Sequence, residues 1–285
     1  MTYFLALCAA FFAAGGAALQ DREVSDIPEV HAQGLRLMVS SLKRPVWWVG
    51  MGLLIGAPLF QYLALRVGTL IQVQPMVPTE LLFLLGILIV THHARPRLPE
   101  WLGATGIVVG LAMFLIAAQP NGGDNTITQK WAVSLSVILI IVAGILFLLS
   151  RLLHGSGRAA LLGSAAAICF AYEAAMTKLI AETPAGQLLT SPAWLGFAFG
   201  GIFGFLLFQY SLRAGHVAAS RAAMVIVDTL ASVAIGVFAF HDIVNHTPLH
   251  LAFECLGFII LLAGAFRLAT SPMIVTYDPA PSLAE

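Results

Sequence analysis

The chain has 285 residues, 59% of them hydrophobic and 10% charged, with a formal net charge of zero. A mean hydropathy of +0.92 excludes a water-soluble fold, because too few polar side chains remain to cover a surface. Lipid is the expected solvent.

Crossing a hydrocarbon core about 30 Å thick takes about 20 apolar residues per helix. Nine such stretches are read, at 2–20, 46–67, 69–92, 100–118, 130–151, 157–180, 192–213, 217–240 and 250–270. The first lacks the basic start of a secretory signal, since Met1-Thr2-Tyr3-Phe4 carries no Lys or Arg, so it is expected to be a retained helix. The loop 21–45 begins acidic and puts Leu35, Met38, Val39 and Leu42 on one helical face before Lys43-Arg44-Pro45. That pattern predicts a short connector helix on the membrane surface. Cys8, Cys169 and Cys255 all fall inside spans and are expected to act as small apolar packers.

In the third span Gln72, Gln74, Pro75 and Pro78 precede Glu80. Two prolines three residues apart remove backbone donors and predict a break, which frees carbonyls beside a glutamate. The sixth span carries Glu173 and, five residues on, Lys178; the eighth carries Arg221 and Asp228, seven apart and two turns along one face. Glu100 and Glu254 are expected at helix starts, where the dipole favours an acid. His241, Asp242, His246 and His250 fall in one loop, expected to be solvated.

Alternating loops collect ten Lys and Arg on one side, Arg22 through Arg267, against Arg66, Lys130 and Lys178 on the other. Positive loops stay in the cytoplasm. The expectation is a multi-pass protein of the cell (cytoplasmic) membrane, with its N-terminus outside and its C-terminus in the cytoplasm.

The sequence also repeats itself. Phe60-Gln61-Tyr62 recurs as Phe208-Gln209-Tyr210, and Leu65-Arg66-Val67-Gly68 as Leu212-Arg213-Ala214-Gly215. The same offset of 148 carries Glu80 onto Asp228. An offset of 154 carries Glu100-Trp101-Leu102-Gly103 onto Glu254-Cys255-Leu256-Gly257, and Gly110 onto Gly264. The expected fold is therefore an all-α polytopic bundle of nine transmembrane helices in an inverted 4+1+4 repeat. It is read as a single transmembrane domain over 1–285, with repeat one at 2–118, a linker helix at 130–151, repeat two at 157–270 and a disordered tail at 273–285. Inverted repeats are the recurring plan of secondary transporters.

Intramembrane acids are costly unless paired, protonated or hydrated, so Glu80, Asp228 and Glu173 are the principal candidates for a substrate or cation site. Gln74, Arg221, Gln61, Tyr62, Gln209 and Tyr210 are the accompanying candidates. The structural alternative makes them Arg221–Asp228 and Lys178–carboxylate pairs, and interhelical hydrogen bonds, that only join helices. No HExxH or GxSxG motif is present, so no enzyme and no cofactor is expected. A scaffold or partner subunit is the alternative from another class.

The motifs Leu42-Lys43-Arg44-Pro45-Val46-Trp47, Leu63-Ala64-Leu65-Arg66-Val67-Gly68, Val73-Gln74-Pro75 and Ser271-Pro272 resemble the drug/metabolite transporter superfamily, EamA-like. Within it the nearest likeness is to the actinobacterial branch similar to the NIPA magnesium transporters. The resemblance covers nearly the whole chain and implies alternating access in an inner membrane, with Mg2+ or another divalent cation as one substrate alternative. Expected partners are lipid and a small-molecule or cation substrate, with a homodimer left open and no nucleic acid.

Overall fold

The structure is a computed structural model that describes residues 1–25, 45–120, 129–214, 216–243 and 247–277. The surface helix expected around Leu35–Leu42, the loop 121–128, and His246 lie outside the described residues. Every regular element within them is helical. The long helices are α1 (Thr2–Ser25), α2 (Pro45–Val67), the broken pair α3 (Leu70–Val73) and α4 (Glu80–His92), α5 (Leu98–Ala118), α6 (Gln129–Ser150), α7 (Gly155–Glu182), α8 (Ala193–Leu212), α9 (Val217–Phe238) and α10 (Pro248–Ala269). Counting α3 and α4 as one crossing, nine segments among the described residues are long and apolar enough to span a membrane. The chain is thus a multi-pass helical membrane protein.

Local sequence explains the boundaries. Thr69 caps α3 through a capping box with Gln72, and the two prolines then divert the chain into a 3-10 turn at Gln74–Thr79 before α4 begins. Glu100 accepts the Arg97 amide at 2.8 Å, closing the first turn of α5, and Ser271 donates to its other oxygen at 2.6 Å. Glu254 does not cap. Its helix starts at Pro248, which leaves the acid in the second turn. Of the tail expected over 273–285, the part to Tyr277 is instead a short helix, α11 (Pro272–Tyr277), with Ile274 fully buried, and 278–285 lies outside the described residues.

α1 packs along α2 and against α3 and α4, while α7 packs along α8 and α9. α7 is the central helix, with 72% of its span buried, and α6 leans on it from outside with only 11% buried. The loops sort into two ends. Gln72 Nε2 donates to the Pro120 carbonyl, the Ile71 amide to Asp242, and the Thr2 hydroxyl to the Val67 carbonyl at one end. At the other, Glu100 meets Ser271 and Ser211 meets Ser220.

α5 and α10 touch backbone to backbone. A Cβ built on Gly103 would lie 3.1 Å from the Gly264 carbonyl oxygen, and one on Gly264 would lie 2.8 Å from that of Gly103. Gly110 and Gly257 repeat the relation at 2.7 and 3.0 Å. The contact is antiparallel and reciprocal, and only glycine fits it.

Candidate functional site

Glu80 is the first residue of α4, immediately after the 3-10 turn. Its amide returns to the carbonyls of Val77 and Pro78, and the Thr79 hydroxyl closes on the Met76 carbonyl at 2.6 Å. The turn is thus held in shape by short-range bonds while Pro75 and Pro78 leave carbonyls without amide donors. Gln74, at the start of the turn, is 1% exposed, and its Nε2 has no hydrogen-bond partner.

α9 packs across this turn and brings Asp228 and Ser232 with it. Ser232 lies one helical turn beyond Asp228 with its hydroxyl beside the carboxylate, yet Ser232 Oγ and Asp228 Oδ1 both lack a partner of hydrogen-bonding geometry. Asp228 lies within electrostatic reach of both Glu173 and Glu80. Asp228 of α9 thus stands within electrostatic range of one acid from α4 and one from α7, although the three do not converge closely enough to ligate a single ion.

The Arg221 guanidinium acts electrostatically on Glu80, a residue of another helix, and not only along its own. Seven residues along a helix is a rise of about 10 Å, whereas the start of α4 comes to Arg221 from the other half of the chain. Glu173 lies against α8, where Gly200 and Gly201 make room. A Cβ on Gly200 would sit 3.0 Å from Glu173 Cβ, and one on Gly201 3.5 Å from Oε2. The paired glycines were the overlooked signal for where this carboxyl points.

Lys178 turns away from Glu173. Only 2% exposed, it donates to Glu182 Oε1 at 2.6 Å, to the Leu65 carbonyl at 2.9 Å and to the Gly68 carbonyl at 2.8 Å. Those carbonyls belong to the end of α2 and the turn after it. Asp242 holds the other limb of that turn. It is 6% exposed and accepts the Ile71 amide at 3.2 Å, so the expectation of a solvated acid in a histidine loop is corrected. A buried carboxylate at a helix start answers otherwise orphaned amides. Burial raises the Asp242 carboxyl above the ordinary range, opposed by the amides of Ile71 and Leu70, the Thr69 hydroxyl and Lys178. Of its former neighbours, His250 bonds Thr247 instead. Among the described residues no three His, Cys, Asp or Glu side chains converge as a metal site.

The remaining candidates lie apart. Gln61 and Tyr62 are half-buried on α2, with Tyr62 against the central core. Their sequence matches Gln209 and Tyr210 are exposed on α8, where Arg158 stands over the Tyr210 ring at 6.0 Å.

No protein-family model matches the chain, and no solved structure does. It is similar to an uncharacterized protein of Corynebacterium glutamicum, with 25% identity over 280 residues that make up 95% of this chain and 96% of that one. The likeness thus runs through all nine apolar helices, the acid-bearing ones included.

Proposed function

We propose that this chain is a secondary transporter of a small cationic or polar solute, working by alternating access in the manner of the drug/metabolite transporter superfamily. The observation that carries the reading is the electrostatic proximity of Asp228 to Glu80 and Glu173, and of Arg221 to Glu80, beside a proline-broken helix. Three carboxyls against one guanidinium favour a positive substrate. The buried Gln74 Nε2, which has no hydrogen-bond partner, costs about 1–3 kcal/mol unless something polar meets it, and the Asp228 carboxylate has only the ill-aligned Ser232 hydroxyl beside it. Such groups belong at a site that a solute or water visits.

The reciprocal glycine seam supports an inverted 4+1+4 plan. The residues matched by the offset of 154 are Gly103 with Gly257 and Gly110 with Gly264. In the seam Gly103 meets Gly264 and Gly110 meets Gly257. Equivalent residues exchanging partners is the mark of a twofold relation, and an antiparallel pair sets that axis across the helices. Two halves so related can rock about a shared centre.

Mg2+ is the specific alternative, favoured by carboxylates beside freed carbonyls. With no three ligating side chains converging among the described residues, the ion would be held through its water shell. Uptake into liposomes, screened across divalent cations and cationic metabolites, tests both readings. Glu80→Gln and Asp228→Asn should each lower uptake of the accepted solute by about tenfold or more, a loss of about 1.4 kcal/mol of binding or barrier stabilisation. Undiminished uptake in both variants removes the acids from the mechanism.

A further inference from the structure

The linker helix α6 is the most exposed of the spanning helices, and between it and α8 a cleft of about 580 Å³ opens over the face of α7. Its walls are apolar, with Ala143 and Gly144 from α6, Ile168 and Cys169 from α7, and Phe203 and Leu206 from α8. Phe203 and Leu206 are also exposed on the outer surface, so the cleft lies open toward the lipid. Its size falls within the roughly 300–1,000 Å³ typical of ligand sites.

One end of this cleft is charged. Phe147 and Tyr210 line it, and each carries an arginine on its ring: Arg151 at 5.3 Å from Phe147 and Arg158 at 6.0 Å from Tyr210. Arg158 Nε is shielded from solvent and has no hydrogen-bond partner. A fork of donors directed to a planar or tetrahedral oxyanion is what guanidinium supplies best. Arg151 and Arg158 also belong to the end of the bundle where the positive loops gather, which by the charge rule faces the anionic cytoplasmic leaflet.

We propose that the α6–α8 cleft is a binding site for an anionic phospholipid, with an acyl chain against Gly144 and Phe203 and the headgroup phosphate between Arg151 and Arg158. The site is separate from the acid cluster and does not depend on what that cluster carries. An apolar slot closed at one end by two cations complements an acyl chain ending in a phosphate, and it would leave a zwitterionic headgroup with a surplus positive charge against the arginines.

The test is binding to the full-length protein in detergent, followed by native mass spectrometry and thermal unfolding, with phosphatidylglycerol, phosphatidylcholine of the same acyl chains, and inorganic phosphate as probes. Phosphatidylglycerol should bind saturably and raise the unfolding temperature, with about tenfold higher affinity than phosphatidylcholine, while inorganic phosphate alone should do neither. Arg158→Gln should abolish the preference and Arg158→Lys restore part of it. Gly144→Leu should lower affinity by filling the slot, since a Cβ there meets open space and the fold is not disturbed. Arg95→Gln, at the same end but on the α4–α5 connection, should leave binding unchanged. Equal affinity for the two lipids, equal stabilisation by inorganic phosphate, or a preference retained in Arg158→Gln overturns the proposal. A transporter whose uptake fails under every condition would leave this lipid result standing, and the converse also holds.

Discussion

Lys178 shows how a single charge can be buried in a helical membrane protein. Its ammonium group has three donors, and each finds an oxygen, one anionic and two from backbone carbonyls. Lys178→Met leaves the Glu182 carboxylate and both carbonyls without their donor. We expect a loss of about 3–5 kcal/mol, read as a lowered midpoint of thermal unfolding in detergent. Asp242 carries the matching pH dependence. Because burial raises its carboxyl in the folded protein, the folded state holds the proton more tightly than the unfolded chain. Stability therefore declines as pH rises from about 4, the ordinary value, through the folded value, and then levels off. Unfolding midpoints measured across acid pH should show this slope in the wild type and lose it in Asp242→Asn. A slope that persists in the variant assigns it to another group.

At the scale of elements, the α5–α10 seam and the broken third crossing are the two features with sharp sequence causes. Gly264→Leu drives a side chain into the backbone of Gly103 and Ile107, where no rotamer change gives relief. The cost should be about 3 kcal/mol or more, seen as aggregation or loss of the folded fraction on gel filtration. Gly86→Leu on α4, which meets open space, is the matched control and should fold normally. The break at Gln74–Thr79 was legible from Pro75 and Pro78, whereas the offset of 154 marked the glycines as equivalent without saying that they meet. The electrostatic link of Arg221 to Glu80 was not legible, because the approach of α9 to the start of α4 depends on how the halves dock, which no spacing along one helix encodes. The unlike settings of Tyr62 and Tyr210 were hidden for the same reason. A repeated triplet fixes a place on its own helix, and whether that place faces the core or lipid is decided by the unmatched α6 and by which neighbours pack there.

At the scale of the molecule, nine apolar crossings among the described residues were readable from hydropathy alone, and the two-ended sorting of loops follows from the alternating direction of successive crossings. The lysine and arginine bias predicts that a tag fused after Glu285 resists protease in intact spheroplasts and is digested in inverted vesicles. Digestion in spheroplasts would reverse the orientation and move Arg151 and Arg158 to the other leaflet. The acids were legible as types and as positions within long apolar helices. The electrostatic proximity of Asp228 to the other two was not, since it depends on how α4, α7 and α9 pack.

The clamp on the turn after α2 also constrains how the protein is made. The carbonyls of Leu65 and Gly68 are answered by a side chain 113 and 110 residues downstream, and the Ile71 amide by one 171 residues downstream. At about 5–20 residues per second of synthesis, the first hairpin waits roughly 10–30 seconds in the translocon or the bilayer for its last partner to emerge. Nascent chains arrested before Asp242 would thus carry an unfinished turn, and that interval is when membrane chaperones or quality-control proteases have their best access to the growing protein.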